Sequence, residues 1–213
     1  MGCILGSCQP DPASTPIDLY PFLNSSEVVD WGEPAIQEVA LELTAGVLSD
    51  VEQARILFEW VRDTIPHTQD AGRDEVTCSA SEVLEAGTGL CYAKSHLVAA
   101  LLRAVGIPAG FCYQVFENDA HAGPDRRALH GLNGIYLTSV GTWVRADVRG
   151  NREGVNAQLR IDEEQLAFPE LEFLDDEIYP EPLPQVVRAL RRYRKLSSLW
   201  PHLPAPTPDT DTK

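Results

Sequence analysis

Long apolar runs are missing from this chain. The longest tract, Leu97 to Val105, is interrupted by Arg103 and falls far short of a membrane span, so no transmembrane helix is expected. Cysteine is scarce. Five residues, at 3, 8, 78, 91 and 112, are an odd and thinly spread set in 213, which excludes a disulfide framework. A reducing, cytoplasmic compartment is the default that follows. Cys78, Cys91 and His96 lack the short paired spacings of a structural zinc site, and nothing resembles a calcium loop. No metal and no cofactor are therefore expected. Basic residues are few, 17 against 32 acidic, for a net charge of -15. Residues 1–90 hold 16 acidic against 3 basic. An acidic surface repels phosphate backbones, so nucleic acid is not an expected partner. The cluster Arg188, Arg191, Arg192, Arg194, Lys195 reads as the solvated face of a helix. There is no internal repeat and no interdomain linker.

The first residues carry two partial targeting signals. "MGCILGS" places the serine of a myristoylation start one position late, at Ser7. "LGSC" at Leu5–Cys8 lacks the charged and apolar regions of a signal peptide. Disordered tails are expected at 1–16 and 204–213, around one domain at 17–203.

What is present is a hydrophobic fraction of 44%, enough for a core. The first half has helical period. Ile36, Val39, Ala40, Leu43 and Val47 predict a helix over Glu33 to Gly46. Ser49 and Glu52 form a capping box that opens a helix from about Asp50 to Thr64, and Pro66 prevents its continuation. Ser79 and Glu82 open a short helix that Gly87 closes. Then comes "GTGLCYAKSHLVAALLRAVGIPAGFCYQ", Gly87 to Gln114. Here a central helix starts near Cys91, with Leu97, Val98, Leu101, Leu102 and Val105 as its apolar stripe. Gly106 and Pro108 stop it.

After Pro108 the period changes to two. Ala109 to Phe116 predicts a strand, Glu117 to Leu129 contains a long polar loop, and "LHGLNGIYLT" and "TWVRADVRG" predict two strands joined by a tight turn at Val140–Gly141. Gln185 to Trp200 predicts an amphipathic helix packed on the domain. Helices first, then an antiparallel sheet, is an α+β layout.

Cys91 is the candidate centre of chemistry. A thiol at a helix N-terminus meets the positive end of the macrodipole, which favours thiolate, and the first-turn N–H groups can hold an oxyanion. Most free cysteines are small buried hydrophobes, and Cys78 and Cys112 are read that way. A cysteine nucleophile needs a base, and the base an orienting group. His130 and Asp147 lie on the two strands that should pair. A two-residue turn puts Asp147 across from Gly134, on the same face as His130, so a bulge or a bend at Gly131 or Gly134 must close the gap.

The three stretches "GTGLCYAKSHLVAALLRAVGIPAGFCYQ", "LHGLNGIYL" and "WVRADVRGN" resemble the core motifs of the bacterial transglutaminase-like superfamily, over about Val51 to Asn156. The resemblance implies a papain-like fold with Cys91, His130 and Asp147 as its triad, in the family's chain order. Gly89, Tyr92, Pro108, Gly131 and Asn133 also sit in motif text. It implies attack by Cys91 on an amide carbonyl, His130 as ion-pair partner and proton donor, and Asp147 as orienter. The backbone N–H of Cys91 would hold the oxyanion. Trp60 and Gln114 are weighed as a second donor, and neither joins the catalytic set.

The substrate implied is a peptide, protein or small amide. Hydrolysis is favoured over protein crosslinking, because the chain is short for the β-domains of large animal transglutaminases. A non-catalytic binding module on the same fold is the alternative, and a Cys91–His130 metal hydrolase a weaker one. His96, about 140° round the helix from Cys91, reads as structural. His121 is placed near the cleft, and His67 and His202 are given no special role. Tyr92 and Trp143 are read as cleft or packing aromatics, and Asn133 as a neighbour of the site or a strand-end partner.

Overall fold

The structure, a computed structural model, describes residues 18–117 and 126–206. The expected tail at 1–16, most of that at 204–213, and His121 with most of its polar loop lie outside the described residues. After a 3-10 turn at Tyr20–Leu23 come α1 (Pro34–Leu43), α2 (Asp50–Thr64), α3 (Ala80–Ala86) and α4 (Cys91–Ala104). Then follow β1 (Ala109–Phe116), β2 (Ala128–Leu137), β3 (Thr142–Ala146) and β4 (Glu172–Phe173). The chain ends with α5 (Pro184–Arg192), α6 (Leu196–Leu199) and a 3-10 turn at Trp200–His202. The sheet is antiparallel with order β3-β2-β1-β4. This is the α+β layout that the change of period predicts.

The Ser79–Glu82 signal acts as read, a complete capping box on α3, whereas at α2 only half of the expected box forms: the Ser49 side chain accepts from the Glu52 N–H, and the Glu52 carboxylate turns to Arg55 instead. Gly87 ends α3 at φ 63°, a conformation costly for any residue with a Cβ.

α4 is buried on every side, not along one stripe. All residues from Cys91 to Arg103 are buried, because α1, α2 and α3 cover one flank and β1 and β2 the other. Its polar side chains are therefore tied to backbone. His96 Nδ1 pairs with the Cys78 carbonyl at 2.7 Å, and Arg103 donates to Ala109 O at 2.8 and 3.1 Å and to Asn24 O at 2.6 Å. His96 is structural, its ring pushed down to a pKa of about 4 by burial.

Three expectations are corrected. First, the β2–β3 turn has four residues. Leu137 pairs with Thr142, both Val140 and Gly141 donate to the Leu137 carbonyl, and Gly141 takes φ 73°. That register sets position 147 opposite Leu132 rather than Gly134, two residues from His130 on the same face, and the pairing runs without a bulge. Second, β3 stops at Ala146, so Asp147 is not a strand residue. Its Oδ1 accepts the Arg149 N–H at 2.9 Å, a local turn that competes with the ladder. Third, the C-terminal helix is broken. Tyr193 is extended, Arg194 O accepts from Val76 N at 3.1 Å, and Lys195 bridges Glu75, so tertiary pairing interrupts the helical period.

Candidate active site

The site forms where the N-terminus of α4 meets β2. Gly131 permits the approach: a Cβ there would lie 3.2 Å from the Tyr92 Cα and 3.0 Å from its ring. Ser95 Oγ bonds the Gly131 carbonyl at 3.3 Å. Asn133 Nδ2 donates to Ser95 O at 2.9 Å and to Gly110 O at 3.1 Å, which locks helix to sheet. Gly131 thus serves close packing, where the sequence suggested a bend.

Cys91 is the first residue of α4 and is 8% exposed. The α2 and α3 starts are capped by serine, but the residue before Cys91 is Leu90, which offers no side-chain cap. The first-turn N–H groups of α4 therefore receive no capping oxygen from that position.

His130, on β2, is 1% exposed. Its Nε2 is 2.7 Å from Asp147 Oδ2, which leaves Nδ1 for the Cys91 sulfur, a near enough neighbour to shift the ring's titration. Burial works against charge on this imidazole, but the Asp147 carboxylate and the Cys91 sulfur outweigh it and raise its pKa to about 10. Asp147 is fully buried and accepts three hydrogen bonds, from His130, Arg149 N and Ala167 N. Burial alone would raise its pKa, yet His130 and the two backbone donors hold it below the usual carboxylate range. The structure thus brings Cys91, His130 and Asp147 together in the linear order thiol, imidazole, carboxylate.

A cavity of about 600 Å³ opens over Cys91 and His130. Phe116, Phe168, Trp200 and Leu203 form its apolar part. Phe168 meets the His130 ring edge-on at 5.0 Å between centroids. Tyr92 lines the cavity and its hydroxyl bonds the Leu129 carbonyl. Trp143 packs instead on Phe22 and Tyr136.

Gln114 cannot be the second oxyanion donor, because its Nε2 is held by Phe168 O and Leu171 O, both at 3.1 Å. Trp60 is not among the cavity-lining residues. Burial raises the thiols of Cys78 and Cys112 to about 11 and about 12, which suits inert core residues. Cys3 and Cys8 lie outside the described residues. Among the described residues no cluster of His, Cys, Asp and Glu is arranged to hold a metal ion. No described helix is long and apolar enough to cross a membrane.

The site also contains residues the sequence did not single out. His67, read from the sequence as a loop residue beside a proline, is 6% exposed and lines the same cavity. Asp70 forms a two-pronged ion pair with Arg149, and Ala167 supplies a backbone donor to Asp147. These partners are 79 and 20 residues apart, separations that no local pattern encodes. The one available signal was that Arg149 lies inside the quoted third motif.

The sequence profile of the transglutaminase-like superfamily matches residues 37–148, a little over half of the chain. The protein belongs to the transglutaminase-like superfamily. Its fold is shared with a candidate cysteine protease from Cytophaga hutchinsonii, at 22% identity and a TM-score of 0.50, over 63% of this chain and 43% of that one. A candidate protease from Parabacteroides distasonis aligns at 13% identity and a TM-score of 0.38, over 55% of this chain and 26% of the other. The chain therefore spans less than half the length of either structure. No match was found among proteins of curated function. Within the superfamily frame, the matched segment carries α4, β2 and β3 and ends one residue after Asp147.

Proposed function

We propose that the protein is a thiol enzyme acting on amide bonds, with Cys91 as nucleophile, His130 as acid and base, and Asp147 as orienter. The observation that carries this reading is the buried His130–Asp147 hydrogen bond beside Cys91, with Cys91 and His130 both lining a solvent-connected cavity. Membership in the superfamily supports it.

In the proposed cycle the Cys91 sulfur bonds to the amide carbonyl carbon, and the carbonyl electron pair moves onto oxygen. As the tetrahedral species collapses, the C–N bond breaks and the His130 Nδ1 proton goes to the leaving amine. This yields a thioester and a neutral imidazole. Water then attacks the thioester, His130 takes its proton, the C–S bond breaks, and the acid product leaves. Asp147 keeps Nε2–H pointed away from the sulfur throughout, which fixes the ring's orientation. Water is the favoured acceptor over a protein amine. A cavity of this size takes one small amide or peptide segment, and water is the smaller second reactant.

The test is site-resolved iodoacetamide alkylation at pH 6 to 9, read by mass spectrometry, on wild type and His130→Ala. Cys91 should react at least about tenfold faster than Cys78 and Cys112 at pH 6.5, and His130→Ala should abolish that advantage. Equal reactivity of the three thiols would overturn the proposal and favour a binding module. Activity on a panel of amides and peptides, with and without added amines, would then separate hydrolysis from acyl transfer.

A further inference from the structure

Attack on a carbonyl places negative charge on oxygen, and one backbone N–H is rarely the whole of the receptor for it. The Cys91 N–H supplies one donor. His67 has the position and chemistry to supply another. It follows α2 and Pro66, and its backbone is fixed against the strand-like approach to Cys91. His67 bridges Gly89 in parallel, Thr68 N donates to Gly89 O at 3.1 Å, and His67 O accepts from Ala71 N at 3.0 Å. The ring lines the cavity above Cys91 and His130, and its Nδ1 is buried with no hydrogen-bond partner.

The charge state follows from its neighbours. Burial lowers the His67 pKa well below the ordinary histidine value, and Arg149, Lys94 and His130 lower it further, against the opposing pull of Asp70. Asp70 is itself engaged by Arg149 through both oxygens. A neutral imidazole carries one proton. An orphaned buried N–H is rarer and costlier than an orphaned acceptor, so the lone pair belongs on Nδ1 and the proton on Nε2. That leaves the Nε2–H edge as the polar face available to the cavity.

We infer that His67 is a further catalytic residue, donating Nε2–H to the carbonyl oxygen of the acyl group that Cys91 attacks, as the second oxyanion donor beside the Cys91 backbone N–H. The inference rests on the thiol-enzyme reading above. No proton is transferred: as the C–S bond forms and the carbonyl electrons move to oxygen, the hydrogen bond shortens, and it relaxes when the tetrahedral species collapses.

The experiment compares two reactions of Cys91 on the full chain. Acylation by p-nitrophenyl acetate passes through an oxyanion, and alkylation by iodoacetamide does not. Both are followed by mass spectrometry at pH 7.5. His67→Ala and His67→Phe, the latter keeping ring volume without a donor, should slow acylation of Cys91 by about 100-fold and alter alkylation by less than about threefold. His67→Gln, which returns an N–H, should recover part of the acylation rate. Unchanged acylation in His67→Phe, or equal slowing of both reactions, would overturn the inference while leaving the thiol-enzyme reading in place. A wild type that is alkylated at Cys91 but neither accumulates acyl-Cys91 nor releases p-nitrophenolate faster than Cys91→Ala would overturn that reading, and this inference with it.

Discussion

One helical turn along from Cys91 lies Lys94, fully buried, with Nζ 3.4 Å from Arg62 O and 3.5 Å from Arg149 O. Burial, helped by Arg149, lowers its pKa from 10.5 to about 7. His130 moves the other way, from 6.5 to about 10. The two have opposite consequences for stability. His130 binds its proton more tightly when folded, so its contribution is complete below about pH 6.5 and is lost as pH rises through about 10. Lys94 binds its proton less tightly when folded. Its penalty is full below about pH 7 and disappears as pH rises to about 10.5. The two slopes oppose each other between pH 7 and 10, so the wild-type melting temperature should vary little there. Lys94→Met, which keeps length and removes the charge, should melt at least about 3 °C higher at pH 7. Its advantage should shrink steadily to pH 10, exposing the His130 slope. Thermal melts across that range would check both signs. A Lys94→Met advantage that grew with pH would contradict this account.

At the scale of elements, the helix starts divide by role. Those of α2 and α3 are closed by serine oxygens, whereas α4 begins on Leu90 and Cys91 without a side-chain cap. The α4 N-terminus rests against β2, and at Gly131 that contact leaves little room for a Cβ. A Cβ at 131 meets the Tyr92 backbone, which cannot rotate aside as a flexible side chain would. Gly131→Ala should therefore displace Cys91 from His130. We expect Cys91 alkylation at pH 6.5 to fall about tenfold, with a loss of about 1–3 kcal/mol in stability. Denaturant melts and the alkylation rate together check this. A variant as reactive as wild type would show that the α4–β2 contact has slack.

For the molecule as a whole, the C-terminal segment completes the cavity. Leu196 N donates to Asp74 O at 2.6 Å, and Ser197 N to Asp74 Oδ1 at 2.8 Å. Leu129 N donates to Pro204 O at 2.8 Å. These bonds seat Trp200 and Leu203 beside Phe116 and Phe168. Trp200 is distant in sequence from the three motifs, and at the cavity it offers apolar surface and no group that titrates near neutral pH. Trp200→Ala should raise KM for an amide substrate by about tenfold and leave the Cys91 alkylation rate unchanged, as steady-state kinetics beside the alkylation assay would show.

The local code of this chain was strong, and the sequence by itself determined most of its elements. The bounds of α2 and β1, the capping box at Ser79 and Glu82, and the stop at Gly87 follow from spacing and backbone freedom within a few residues. The candidate nucleophile was legible because a cysteine opening an apolar helix is a local pattern, and His130 and Asp147 because three motifs came in order. What only the tertiary structure decided are quantities set by distant partners. The four-residue turn moved Asp147 two positions nearer His130, since register depends on which residues close the turn. The pairing of residues 194 and 195 with the 75–76 segment broke a helix whose period was sound. His67, a loop histidine after a proline, became a buried cavity residue because Gly89 and Arg149 meet it in space. Burial and charge at a site are sums over neighbours that are brought together by the fold, so they cannot be read from any one stretch.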